Sequence, residues 1–208
     1  MSTFQNLIDL ANRESGAGVV YANDEFFAEK ENLLNSGRAK FSSHTFGHKG
    51  QIYDGWETRR RRNDPGNDFA IVRLGQAGIV KGVNIDTGNF TGNFPPHASV
   101  EAAEFDHIPT IAELLAASWT TILEKSALTG DSENLFEVTN KHCWTHVRLT
   151  MHPDGGIARI RVHGNPVPDL NWLSAAGPKN LAALDNGAQL IGSSDDFYSS
   201  AKNTLQSG

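Results

Sequence analysis

Apolar and polar positions alternate along much of the chain, and that alternation marks strands. Residues 68–74 (DFAIVRL) form a run rich in β-forming residues, and residues 79–86 alternate in their second half. Residues 135–138 give a short strand. Residues 145–151 and 157–162 alternate polar with apolar, and Pro153-Asp154-Gly155-Gly156 between them predicts a hairpin turn in which glycine supplies positive φ. Residues 3–12 predict a short helix with Leu7, Leu10 and Ala11 on one face. Residues 111–123 have helical periodicity and propensity, yet from Trp119 onward they read equally well as a strand. Short strands at regular spacing predict an all-β antiparallel sandwich or jelly roll.

A repeat underlies this pattern. Residues 9–37 align without a gap on residues 180–208 at an offset of 171, with ten of 29 positions identical, among them Asp24/Asp195, Phe26/Phe197, Asn32/Asn203 and Leu34/Leu205. Ordinary residue frequencies give about two identities by chance. The alignment runs to Gly208, so the chain is expected to hold one complete unit and the start of a second, with about 130 further residues needed to finish it. The expected division is a first repeat at 1–168, then a Pro/Gly-punctuated link and the opening of a second repeat at 169–208.

Composition narrows the setting. The 208 residues are 38% hydrophobic and 20% charged, with 20 glycines and 8 prolines, which fits a loop-rich globular β protein. A formal net charge of −6 argues against a nucleic-acid surface, and no stretch approaches the ~18 apolar residues of a membrane span. Cys143 is the single cysteine, so no internal disulfide forms. It reads as a small buried hydrophobe, and a reducing, cytoplasmic setting is expected. The N-terminus has no basic region followed by an apolar run, so a secretory signal is not expected.

Three stretches carry candidate chemistry. In residues 54–62 (DGWETRRRR), two acids, an aromatic and four guanidiniums crowd together. If extended, Asp54, Trp56, Thr58 and Arg60 share one face and Glu57, Arg59 and Arg61 the other. The stretch reads either as a solvated edge of acid–arginine pairs or as an anion site, since the planar guanidinium fork meets a carboxylate with two bonds. Residues 82–96 end a strand in a Gly/Asn/Thr loop able to offer amides and a hydroxyl to a small polar ligand. Residues 144–162 place His146 and three arginines on two strands, and histidine moves protons near neutral pH. His44 and His48 have helical ligand spacing in a stretch that does not look helical. No zinc, calcium or nucleotide motif is present in the sequence, so no metal is assigned and the cofactor requirement stays open.

These motifs, together with NDEFF at 23–27, NLL at 32–34, VRLG at 72–75, DTGNFTGNFPP at 86–96 and WTH at 144–146, resemble the allantoicase family over nearly the whole chain. The resemblance implies two similar repeats, each a galactose-binding-like jelly roll, and makes residues 119–126 a strand. It implies hydrolysis of allantoate to ureidoglycolate and urea. Arg59 or Arg60 would clamp the carboxylate. Asp54, Glu57, Asp86 and Asn93 would accept from ureido N–H groups, with Thr91 in the same loop. Glu57 or His146 would transfer protons, and Asp54 is grouped with them as catalytic. The partner implied is a small molecule, with homo-oligomerisation left open. The alternative is a non-catalytic jelly-roll binding module or an inactive truncated product, because this fold also serves in carbohydrate-binding modules.

Overall fold

The computed structural model describes residues 3–41, 44–47, 50–51, 53–169, 174, 180–186, 188 and 190–205. Its strands are β1 (Ile8–Asp9), β2 (Gly18–Ala22), β3 (Phe46–Gly47), β4 (Gly50–Gln51), β5 (Trp56–Glu57), β6 (Phe69–Asp86), β7 (His97–Ala103), β8 (Thr120–Ala127), β9 (Glu133–Glu137), β10 (Cys143–His152), β11 (Gly156–Ile157) and β12 (Arg159–Pro166). An α-helix, α1 (Ile111–Ala116), stands among them. None of the helices of the described residues is long and apolar enough to cross a membrane.

The organising element is β6, 18 residues long. Its first half pairs with β2 on one edge and β10 on the other; its second half pairs with β12 and β9. β7 and β8 extend the first group beyond β10, and β1 extends the second beyond β12. All of these ladders are antiparallel, as expected of a jelly-roll sandwich folded about one shared strand. The two layers bury the period-two positions Val147, Leu149 and Met151 of β10, Ile160 and Val162 of β12, and Ala98, Val100 and Ala102 of β7.

Four local expectations change. Residues 68–74 and 79–86 are one strand rather than two. The glycines between them are points of close approach, and a Cβ on Gly78 would lie 2.7 Å from the Asn165 carbonyl oxygen. The helix expected at 3–12 is a 3-10 turn, Thr3–Asn6, followed by β1, because Ile8 and Asp9 find ladder partners in Gly164 and His163. The ambiguous stretch divides. A capping box between Thr110 and Glu113 starts α1, which ends at Ala116, and the strand expected from Trp119 begins at Thr120. Finally, 153–156 is not a hairpin turn. β10 and β12 lie on opposite edges of β6, since Ile79 pairs with both Cys143 and Asn165. The Pro-Asp-Gly-Gly stretch therefore carries the chain from one layer to the other and leads into β11, which pairs with β5.

Candidate functional site

The 54–62 stretch is wedged between two backbones. On one side Glu57 exchanges hydrogen bonds with Ala28, and the Trp56 indole N–H donates to the Asp24 carbonyl at 2.7 Å. On the other side β5 pairs with β11, and the Thr58 N–H donates to the Gly155 carbonyl at 3.0 Å. Trp56 and Thr58 are buried, so the expected two-residue alternation holds in the middle of the stretch. A third backbone joins from the 87–96 loop, where the Asn93 carbonyl accepts from the Gly156 N–H at 2.8 Å. Gly156 permits this approach, because a Cβ there would sit 2.1 Å from the Phe90 ring.

This meeting brings together four side chains. Asn93 Nδ2 donates to Glu57 Oε1 at 2.7 Å. Arg60 Nη1 donates to Asp154 Oδ1 at 2.8 Å, and its Nη2 lies 3.5 Å from the Gly92 carbonyl. Asp154 is buried and also accepts from the Arg61 N–H at 2.7 Å. Burial raises the Glu57 pKa above the ordinary value of 4.5, against the opposing pull of Asn93 and Arg60. Glu57 therefore holds its proton to higher pH than an exposed glutamate. Arg60, anchored at one nitrogen, keeps 44% of its side chain exposed. Thr91 is exposed in the same loop, next to Gly92.

Arg59 and Arg61 are paired too. Arg59 gives its Nε–H to Asp24 Oδ2 at 2.7 Å and lies over the Phe26 ring at 5.1 Å, while Arg61 bonds Asp68 and Asp64. Burial alone would raise the Asp24 pKa, but the Phe26 N–H and Arg59 hold it below the usual carboxylate range. Arg59, Arg60 and Arg61 line one basin of about 410 Å³ with Asn23, Asp24, Asp64 and Asp68.

A second group sits further along the same crossing segment. Arg159 is buried at 2% exposure and donates to the Asn32, Gly37 and Asp54 carbonyls and, at 2.7 Å, to Asp54 Oδ2. Burial raises the Asp54 pKa less than Arg159, the Lys40 N–H and Asn35 lower it, so Asp54 is held ionised. Asp86 lines a cavity of about 290 Å³ with Arg38, Asn89, Asp131 and Glu133. Burial, with the Glu133 carboxylate beside it, pushes its pKa up. Arg159 lies five positions after Asp154, so the two groups lie within roughly 18 Å along the chain.

His146 does not join them. It lies six residues before His152 on β10, roughly 20 Å along the strand, packed edge-on against Phe105 and bonded to Thr145. Burial and the Arg73 guanidinium lower its pKa to about 4, so it is neutral at pH 7. His44 is exposed, and His48 lies outside the described residues. Among the described residues, no group of three or more His, Cys, Asp or Glu is placed to hold a metal ion. Asp154 and Asp24, the acids that orient Arg60 and Arg59, were marked in the sequence only as parts of a turn and of a repeated NDEFF motif, not as site residues. A row of guanidiniums entering a β core needs carboxylates to meet it.

The model of the allantoicase repeat family matches residues 8–167. A protein of Nocardia farcinica described as "Probable allantoicase" is 50% identical over 206 residues, covering 99% of this chain and 62% of that protein. A second, from Streptomyces avermitilis, is 49% identical, with 99% of this chain and 57% of the relative covered. The chain thus spans less than two thirds of the length of these curated relatives. The crystal structure of allantoicase from Saccharomyces cerevisiae superposes with a TM-score of 0.63 at 33% identity, over 76% of this chain and 43% of that one. On a match that takes in most of its length, with half of its aligned residues identical to a curated relative, this chain belongs to the allantoicase family.

Proposed function

We propose that the protein carrying this chain hydrolyses allantoate to ureidoglycolate and urea, and that Glu57, Asn93, Arg60 and Asp154 form part of its site. The observation that carries this reading is the convergence of those four groups from three separate stretches of sequence on one buried–exposed boundary. Allantoate has one carboxylate and two ureido arms on a single carbon. Arg60, fixed by Asp154, offers its free N–H edge to the carboxylate, with Arg59 and Arg61 adding positive charge in the same basin. Asn93 accepts from a ureido N–H through its side-chain oxygen. Thr91 and, in the second group, Asp54 and Asp86 supply further polar contacts to the ligand or its surroundings.

The chemistry needs a proton at the leaving nitrogen. Glu57 gives it: the C–N bond to one ureido arm breaks as the Glu57 proton passes to that nitrogen, and urea leaves. Water then adds to the same carbon, forms the C–O bond of ureidoglycolate and returns a proton to Glu57. A raised carboxyl pKa suits this cycle, because the acid must be protonated near working pH. His146 takes no part in this scheme, given its place six residues before His152 on β10. A first repeat at 1–168 and the opening of a second at 169–208 belong to the same reading, supported by the family match to 8–167 and by the end of β12 at Pro166. A cytoplasmic setting completes it.

Purified protein is expected to release one urea for each allantoate consumed, measured by coupled urea detection. Saturable sugar binding with no urea release would favour the binding-module alternative instead.

A further inference from the structure

An acid that hands a proton to a leaving nitrogen has to stand within hydrogen-bond reach of it, roughly 2.6–3.2 Å. The Asn93 side chain steers the tip of Glu57, donating to Oε1 at 2.7 Å. The backbone from which that side chain springs needs its own support. β5 is only two residues long, and Trp56 and Glu57 pair with Ile157 and Gly156 of β11 along one edge. So short a ladder is marginal by itself. The other edge lies against residues 24–28, where the Glu57 and Ala28 backbones exchange hydrogen bonds at 3.2 Å.

Asp24 grips this segment on both sides of Glu57. Before it, the Trp56 indole N–H donates to the Asp24 carbonyl at 2.7 Å. After it, the Arg59 backbone N–H donates to Asp24 Oδ1 at 3.1 Å and the Arg59 Nε–H to Oδ2 at 2.7 Å. The Phe26 N–H also donates to Oδ1, at 3.0 Å, and this turn of the side chain onto its own backbone fixes the carboxylate in place. The Arg59 guanidinium lies over the Phe26 ring at 5.1 Å and covers the pair, leaving 11% of the Asp24 side chain exposed. Both carboxylate oxygens are thus taken by N–H groups of the protein.

We infer that Asp24 is a positioning residue for the reaction: by clamping the chain on either side of Glu57 it sets where the Glu57 carboxyl stands against the substrate. The inference rests on the proposed role of Glu57 as the acid. Asp24 acts through Glu57 rather than by touching the ligand, because its own oxygens are occupied. A misplacement on the order of 1 Å at the reacting groups costs up to ~10²-fold in rate, so a clamp of this kind shows in turnover. An influence exerted through Arg59 alone would show in the binding of the substrate carboxylate, and so in KM.

The test is a double-mutant cycle on urea release from allantoate with D24N, E57Q and the pair together. Asparagine is a mild change. It keeps the backbone carbonyl for Trp56 and a side-chain oxygen for the Phe26 and Arg59 N–H groups, and it loses the charge and the second oxygen that hold Arg59 Nε. D24N should lower kcat about tenfold or more, with KM changed by less than about threefold. In the E57Q background, where no proton is left to aim, D24N should cost less than about twofold. A second readout needs no turnover: the ¹³C carboxyl signal of Glu57 should titrate closer to 4.5 in D24N, as the loosened segment lets water reach the group. Equal losses from D24N in both backgrounds, a change confined to KM, or an unaltered Glu57 titration would each overturn the inference. Normal urea release by E57Q would remove Glu57 from the reaction and Asp24 with it, while a shifted titration would still show the clamp.

Discussion

Replacing Glu57 by glutamine is expected to lower urea release from allantoate by ~10²-fold or more, the usual scale of lost general acid–base catalysis, while leaving the protein folded. The amide keeps the size and polar end of the side chain and can still bond Asn93, but it has no acidic proton to give. The stability side follows from linkage. Burial raises the folded-state pKa of Glu57 above 4.5, so its protonated form is favoured by folding. That contribution is fully present below the unfolded-state pKa and is lost as pH rises through the folded one. Above the folded-state value the ionised carboxylate is a net burden on the fold, and the amide is not. E57Q should therefore melt at the same temperature or slightly higher at pH 7, with its advantage disappearing below about pH 4.5. A drop in activity matched by a drop in melting temperature would mean that Glu57 acts only as a structural residue.

Arg159→Ala is expected to be the most damaging single change to stability, at about 3–5 kcal/mol, the range for breaking a buried charge pair. The loss is concentrated at one point. Arg159 ties the Asn32, Gly37 and Asp54 carbonyls and the Asp54 carboxylate to β12, holding residues 32–37 and Asp54 against the sheet. Alanine takes the guanidinium donors away from those acceptors and leaves Asp54 without its cation. Against the roughly 5–15 kcal/mol typical of a domain, this lowers the melting temperature by roughly 6–20 °C. The pH dependence should change as well. Asp54 is now held below its ordinary pKa, so it stabilises the fold above about pH 3.8, and that support is lost as pH falls through the folded value. In R159A only the Lys40 N–H and Asn35 remain to oppose burial, so this pH-dependent support should shrink. Arg159→Lys should recover only part of the loss, since one ammonium cannot span four acceptors.

The all-β class and most strand positions could be read from the period-two pattern, because each strand of a sandwich presents alternate residues to one core. What could not be read was pairing. Two alternating runs joined by Pro-Asp-Gly-Gly look like a hairpin locally, and nothing in either run announces that β6 lies between them. Likewise, glycines that look like a break between strands mark a place where another backbone passes close. The site was legible in the same partial way. Glu57, Arg60 and Asn93 stood out through a dense motif and a Gly/Asn loop, and they do meet. Asp154 was hidden inside a turn signature, although it is the buried acid that fixes Arg60. His146 was attractive for its chemistry alone; it packs against Phe105 on β10, six residues before His152.

The most direct measurement is a crystal structure of the E57Q protein soaked with allantoate. The account predicts the ligand carboxylate within hydrogen-bond distance of Arg60 and a ureido arm against Asn93 and the substituted side chain. Allantoate bound elsewhere, with the cluster of Asn93, Arg60 and Asp154 untouched, would contradict it.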